Sequence, residues 1–346
     1  MRRGILAVAT ITAALAASGS ESRAQHLNPL VDLLQARQAV FGLYAPANPR
    51  TGRGGRGGPP GGAPGGAAAA TTPPAAAAPV PVMKTPAELA RDAIARAPND
   101  YLFDGSMEGF ANFDRSYEAF RAFMKGYAEA GSPAERWKHP LVVKMHEIAP
   151  NPAAAAVNIG RQLNLGVSTI AFVTVESASE VKAGIAAMRF KANGGTRSDD
   201  VGDAPAFWGL SDRDYRAKAD VWPLNPKGEL VNWTIVESKT GIDKIREIAQ
   251  VPGIGVLVPG AGTMRGVYSN TDSTGRRIPD PAAWEAALQK VLDACNEFKI
   301  PCGFPANDPA TMEARYKQGF RVFIVGWSET GFKTVEEGLR LSGRAK

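Results

Sequence analysis

The stretch Val231 to Gly260, VNWTIVESKTGIDKIREIAQVPGIGVLVPG, places a carboxylate where a folded chain can use one. It reads as a strand, an acidic strand end, a short helix, a VPG turn and a second strand, which together make a βαβ unit. Side chains alternate along a strand, so Val231, Trp233, Ile235 and Glu237 share a face. Glu237 thus follows three inward apolar residues to the carboxyl end, where parallel α/β folds place their chemistry. The next strand ends in Pro259-Gly260-Ala261-Gly262, a turn small enough to bring backbone N–H groups against an anion at the centre. Lys144 and His146 in LVVKMHE are two residues apart and share a barrel-facing side, where a neutral imidazole serves as base or metal ligand, or simply packs. Glu108 in YLFDGSMEGF has two uses open to it. A carboxylate in a partly dry cleft can have its pKa raised into the range of acid–base work, and the same residue could cap a helix beginning near Asn112.

Apolar runs able to form strands alternate with helical patterns over most of the chain, the signature of a parallel sheet. They begin at Val40, Tyr101, Leu141, Thr169, Asn232, Gly255, Pro301 and Arg321. Helix starts are marked by Thr85-Pro-Ala-Glu88, Ser177-Ala-Ser-Glu180, Asp280-Pro281 and Asp308-Pro309, where an oxygen side chain accepts an orphan N–H and, in three of the four, proline sits in the first turn. Eight βα units predict an α/β protein built as a single (β/α)8 TIM barrel over residues 25–346, interrupted by 46–84. A doubly wound open sheet is the other arrangement that fits.

Several phrases together resemble the HpcH/HpaI family of 2-keto-3-deoxy acid aldolases and citrate lyase β-like enzymes. They are NPLVDLLQARQAVFGLYAPANP, VTVESASEVKAGIAAMRFKANGGTR, AFWGLSDRDYRAKAD, the VES…VPG stretch around Glu237, and FPANDPATMEARYKQGFRVFIVG. The resemblance implies a phosphoenolpyruvate/pyruvate-type barrel and a carbon–carbon lyase acting on a 2-oxo or 3-hydroxy acid. It also implies a divalent metal, Mg²⁺ or Mn²⁺, with Glu237 as a ligand, and a homo-oligomer, often a hexamer that exchanges its last helix, here Thr334 to Leu341. Lys144 stands at the family's arginine position and Arg197 at the arginine after its glycine pair, in a loop expected above the barrel to meet a substrate carboxylate. The chain departs from the pattern in three places: Gly262 replaces the second metal-binding aspartate, Lys144 replaces arginine, and no histidine follows the second strand. These departures leave a second reading open, a barrel that binds a small organic acid without aldol chemistry.

Arg2 and Arg3 precede the apolar run Ile5 to Ala17 and a small-x-small site at Ser22-Arg23-Ala24, which predicts a signal peptide over 1–24 and export to the periplasm or beyond. The run is too short to span a membrane. Residues 46–84 are rich in Gly, Pro and Ala and offer little to bury, so they read as a low-complexity insertion. Net charge is +6, but the first 25 residues carry +2 and the insertion +4. A neutral fold and two lone RGG triplets give nucleic acid no electrostatic footing as a partner; a small oxo acid is the expected one. Cys295 and Cys302, seven residues apart across a helix-to-strand turn, need favourable geometry to bond and are expected to be buried thiols.

Overall fold

A computed structural model describes residues 26–48 and 83–345. The expected signal peptide and all but the two ends of the 46–84 insertion lie outside the described residues. Eight strands form a curled, wholly parallel sheet: β1 (Val40–Tyr44), β2 (Tyr101–Asp104), β3 (Leu141–Lys144), β4 (Thr169–Phe172), β5 (Leu230–Val236), β6 (Ile254–Pro259), β7 (Gly303–Pro305) and β8 (Val322–Val325). Pairing runs in the order β7-β8-β1-β2-β3-β4-β5-β6. The two ends of that order meet through one parallel bridge, Leu257 to Cys302, with the Leu257 N–H donating to the Pro301 carbonyl at 3.0 Å.

Strand alternation divides the apolar residues into two cores. Val40, Tyr101, Phe103, Val142, Ala171, Val231, Trp233, Ile235, Val256, Val258, Val322 and Ile324 pack together inside the curl. Their neighbours Phe41, Leu43, Leu102, Val143, Ile170 and Phe323 face the surrounding helices. Each such fully buried side chain contributes on the order of 1.5–3 kcal/mol. Gly42 leaves the space that the Tyr101 ring fills, since a Cβ there would lie 2.1 Å from it. The Tyr101 hydroxyl donates to the Phe323 carbonyl at 2.5 Å.

Helix α1 (Pro29–Gln35) closes the amino end of the sheet, with Leu30, Val31 and Leu34 in the inner core. Six further long helices cover the outside: α2 (Pro86–Ala95), α3 (Phe113–Ala130), α4 (Pro152–Asn164), α5 (Ala178–Met188), α6 (Pro281–Phe298) and α7 (Pro309–Gln318); α8 (Glu329–Leu341) completes the layer. The four helix starts named from sequence hold: Thr85, Ser177, Asp280 and Asp308 each accept an N–H from the third residue on.

Two elements were not foreseen. Val221–Trp222 adds a two-residue parallel strand beside β5, and Ser269–Thr271 pairs antiparallel with Arg277–Pro279. Cys295 and Cys302 form a disulfide, correcting the expectation of free thiols. The turn from α6 into β7 brings their Cα atoms to 5.6 Å, within bridging range. Among the described residues, no helix is long and apolar enough to cross a membrane.

Candidate active site

Glu237 stands one residue past β5 at the carboxyl ends of the strands, and it is only 5 % exposed. Thr174, beyond β4, donates its hydroxyl to Glu237 Oε1 at 3.0 Å. Thr174 does so from φ 50°, a left-handed conformation uncommon for a β-branched residue, which the surrounding structure must enforce. Glu237 Oε2 lies over Gly260, where a Cβ would approach it to 2.3 Å. The carboxylate is therefore clamped between a hydroxyl and a residue that has to be glycine.

Lys144 ends β3 and points to the same mouth, with its Nζ 3.0 Å from Glu108 Oε1. Burial alone would depress the ammonium, but the charges of Glu108 and Glu237 and the Glu108 hydrogen bond outweigh it, so its pKa is raised and it stays cationic. Tyr44, the last residue of β1, packs edge-on against Phe103 at 5.1 Å. Burial pushes its phenol up, helped by Glu108, Asp104 and Glu237 and opposed by Lys144, so it is a neutral O–H at ordinary pH. Asp104 is also raised by burial, against the Ser106 hydroxyl and N–H that donate to it at 2.6 and 2.9 Å.

The expected residues separate into two groups. Glu237, Lys144, Glu108 and Gly260 come together. Glu108 pairs with Lys144 rather than capping the helix after Asn112, which has no side-chain cap. Ala261 and Gly262 open the short helix Ala261–Val267, Ala261 buried and its carbonyl accepting from the Trp284 indole at 2.9 Å. His146 does not share the inward side. β3 ends at Lys144, the alternation ends with it, and the imidazole turns outward between α3 and α4. Its Nε2 lies 2.9 Å from Asn158 Nδ2, its Nδ1 lies 2.8 Å from the Glu147 carbonyl, and Phe113 meets its ring edge-on.

Arg197 is at the opposite end of the fold. It follows α5, which returns the chain from the mouth, so the segment 189–229 lies against the amino ends of the strands. There Arg197 is buried, donates to Asn164 Oδ1 at 2.9 Å and the Tyr215 hydroxyl at 3.0 Å, and stacks over Phe190. Sequence reasoning passed over Tyr44 and Thr174. The period from Val40 and Gly42 points Tyr44 inward, whereas nothing in the letters around Thr174 announces its left-handed backbone.

The protein's own donors do not make a complete site for a divalent metal. Such an ion takes six or more oxygen ligands. Among the described residues, no three His, Cys, Asp or Glu side chains are grouped to hold one. Glu237 is the single clamped carboxylate, and an ammonium stands near it. The arrangement can bind a compact organic acid by charge, hold a neutral phenol against it and accept a proton on a carboxylate.

An HpcH/HpaI aldolase/citrate lyase family protein from Burkholderia cenocepacia J2315 superposes with a TM-score of 0.59 at 18% identity, over 86% of this chain and 92% of that one. The fold is that of the HpcH/HpaI aldolase/citrate lyase family. The family's aldolase from Desulfitobacterium hafniense DCB-2 gives 0.56 at 13% identity over 91% and 96% of the two chains. Macrophomate synthase gives 0.51 at 19% identity over 75% and 80%. In sequence, a hydroxypyruvate/pyruvate aldolase of Paraburkholderia phytofirmans is 24% identical over 173 residues, which is 49% of this chain and 62% of that protein. The match thus spans less than two thirds of that relative. No family model matches the chain.

Proposed function

We propose that the protein is a carbon–carbon lyase that cleaves or forms an aldol bond in a 2-oxo or 3-hydroxy acid, at the mouth of a single (β/α)8 barrel closed through the Leu257–Cys302 bridge. The observation that carries this reading is the convergence of Lys144, Glu108 and Tyr44 with the buried Glu237 on the carboxyl ends of four strands. In the cleavage direction, the substrate hydroxyl loses its proton as the adjacent C–C bond breaks. The bonding pair passes to the carbon beside the oxo group, giving an enolate and an aldehyde, and a proton returned to that carbon completes the acid. In this reading Lys144 meets the negative charge, and Glu108, which reaches solvent, takes the hydroxyl proton; their 3.0 Å ion pair at the mouth supports it. Glu237, fixed by Thr174 and Gly260, orients the oxo acid and is the side chain that would contribute to holding a cation. A divalent ion, when bound with the acid, supplies Lewis-acid stabilisation of the enolate oxygen.

A second reading, acid binding without aldol chemistry, is favoured by the outward turn of His146, which withdraws an acid–base group from the mouth. The two are separated by nuclear magnetic resonance of pyruvate in D2O with Mn²⁺ or Mg²⁺. The lyase exchanges the methyl protons and the Glu237→Gln variant does not; pyruvate that binds without exchange assigns the protein to the second reading.

The export reading belongs to the same proposal and is supported by the Cys295–Cys302 disulfide, which persists in an oxidising compartment such as the periplasm. Hexamer formation through the last helix is the proposed assembly, and light scattering reads it directly.

A further inference from the structure

We infer that Lys144 is a covalent catalyst: its amine condenses with the oxo group of a 2-oxo acid, and the resulting iminium is the electron sink for C–C cleavage. The inference rests on the lyase reading for its substrate class. It deepens that reading by naming the group that draws the bonding electrons.

The first argument is what a lysine adds at this place. An arginine meets the charge of an enolate with a planar fork, whereas a lysine contributes only a point charge but can also act as a nucleophile. Among the described residues every lysine except Lys144 and Lys218 is exposed. The Lys218 side chain is still 41 % exposed and lies beside Glu229 at the amino end, while that of Lys144 is 15 % exposed at the end of β3. Lys144 is thus the described lysine that a ligand in the mouth meets out of bulk water. The oxygen donors at the same place are too few for a divalent cation, with Glu237 the single clamped carboxylate. An amine sink fits this lining better than a chelated one.

The second argument is the surroundings of the amine. Its Nζ lies 3.0 Å from Glu108 Oε1, on a carboxylate that is 40 % exposed. Transfer of the proton along that contact frees the amine and leaves the pair with no change in net charge. Burial favours the neutral amine, and the charges of Glu108 and Glu237 now outweigh it. The Glu237 charge that supports the ammonium supports an iminium equally. Gly105 leaves a methyl-sized opening, since a Cβ there would lie 3.6 Å from the Tyr44 ring and 3.8 Å from Lys144 Cδ. The phenol and the lysine stem therefore border the same small space.

The amine attacks the oxo carbon, a C–N bond forms, and the C=O pair moves to oxygen, which takes the proton back from Glu108. That hydroxyl leaves as water with one proton from nitrogen. Overall, an ammonium and a ketone give an iminium and one water. On cleavage Glu108 takes the substrate hydroxyl proton, the C–C pair becomes the double bond of an enamine, and the C=N pair moves onto nitrogen. A proton added to the enamine carbon restores the iminium, which water hydrolyses to the acid and the free amine.

The test treats the protein in EDTA with pyruvate and sodium borohydride and maps the adduct by mass spectrometry. Methyl exchange of pyruvate in D2O is followed in parallel, in EDTA without the hydride. A 1-carboxyethyl group should appear on Lys144, and exchange should persist. Lys144→Arg keeps the charge and should lose both, with the circular dichroism unchanged; should that variant fail to fold, the position of the adduct in the parent decides. Exchange that stops in EDTA, an adduct absent from Lys144, or exchange in EDTA that survives Lys144→Arg overturns the inference and leaves the lyase reading to exchange with metal. Absence of exchange both with and without metal overturns the lyase reading and the inference together.

Discussion

Two charged clusters at opposite ends of the sheet treat charge in opposite ways. At the amino end, Glu229 is 1 % exposed and is surrounded by donors. The Leu27 and Asn28 N–H groups reach it at 3.1 and 3.0 Å, and His26 and Lys218 lie at 3.4 and 3.5 Å. Arg189 grips Asp220 with two nitrogens, and Arg136 spends its guanidinium on four backbone carbonyls. At the carboxyl end, Lys144 has one carboxylate partner on a half-exposed turn, and Glu237 has one hydroxyl donor. A buried charge with its hydrogen bonds filled fixes the fold; one with capacity left over is available to a ligand. The amino end is built for stability and the mouth for binding.

That contrast can be broken most decisively at Glu229. Glu229→Ala should cost about 3–5 kcal/mol, because it strands buried partners of a charged group, and denaturant melts will measure it. The same variant should keep its pyruvate methyl exchange at a temperature where it is folded. Gly260→Ala should do the reverse. Its methyl group must displace the Glu237 carboxylate, so pyruvate methyl exchange should fall about 100-fold, roughly 2.7 kcal/mol, while the melting midpoint moves by only a few degrees. Equal losses of stability and exchange would erase the division of labour.

Gly262→Asp sharpens the picture from the metal side. Gly262 occupies the first turn of Ala261–Val267 and is not among the left-handed glycines, so the backbone accepts a side chain there. A carboxylate added at position 262 should raise the affinity for Mn²⁺ by about tenfold, roughly 1.4 kcal/mol. Unchanged Mn²⁺ titrations in a variant of unchanged stability would place position 262 outside the ion's reach.

The smallest effect belongs to His139 at the amino end. Burial holds its pKa below the ordinary 6.5, against the Asn99 carbonyl that faces Nδ1. The unfolded chain then binds more protons than the folded one just below that pH, so stability declines as pH falls through 6.5 toward the lowered value. The slope approaches at most about 1.4 kcal/mol per pH unit. Melts of the parent and His139→Gln between pH 7 and pH 5 should differ in that slope, and parallel curves would remove His139 from the account.

Much of this was legible in the letters. All eight strand runs became strands, because each is a short apolar run and four of the helices between them open on a side-chain cap that marks where the helical pattern begins. Glu237 was found by the same two-residue period, since β5 is long enough to sustain it through Val236. His146 was misplaced because the period was carried two residues past the end of β3. Arg197 was misplaced by motif likeness, although chain direction places whatever follows a returning helix at the amino end. Val221–Trp222 is too short to show a period, and the left-handed Thr174 is imposed by tertiary packing. The disulfide depended on the turn geometry between α6 and β7, which spacing does not specify.

Helix α1 has a practical consequence. Asn28 caps it from within the Glu229 cluster, and its apolar face covers the amino end of the curled sheet. Any attachment made just ahead of His26 therefore leaves from the pole opposite the mouth. A purification handle, a solid support or a membrane surface joined at that point would hold the protein by its base, with the mouth turned toward the bulk solution.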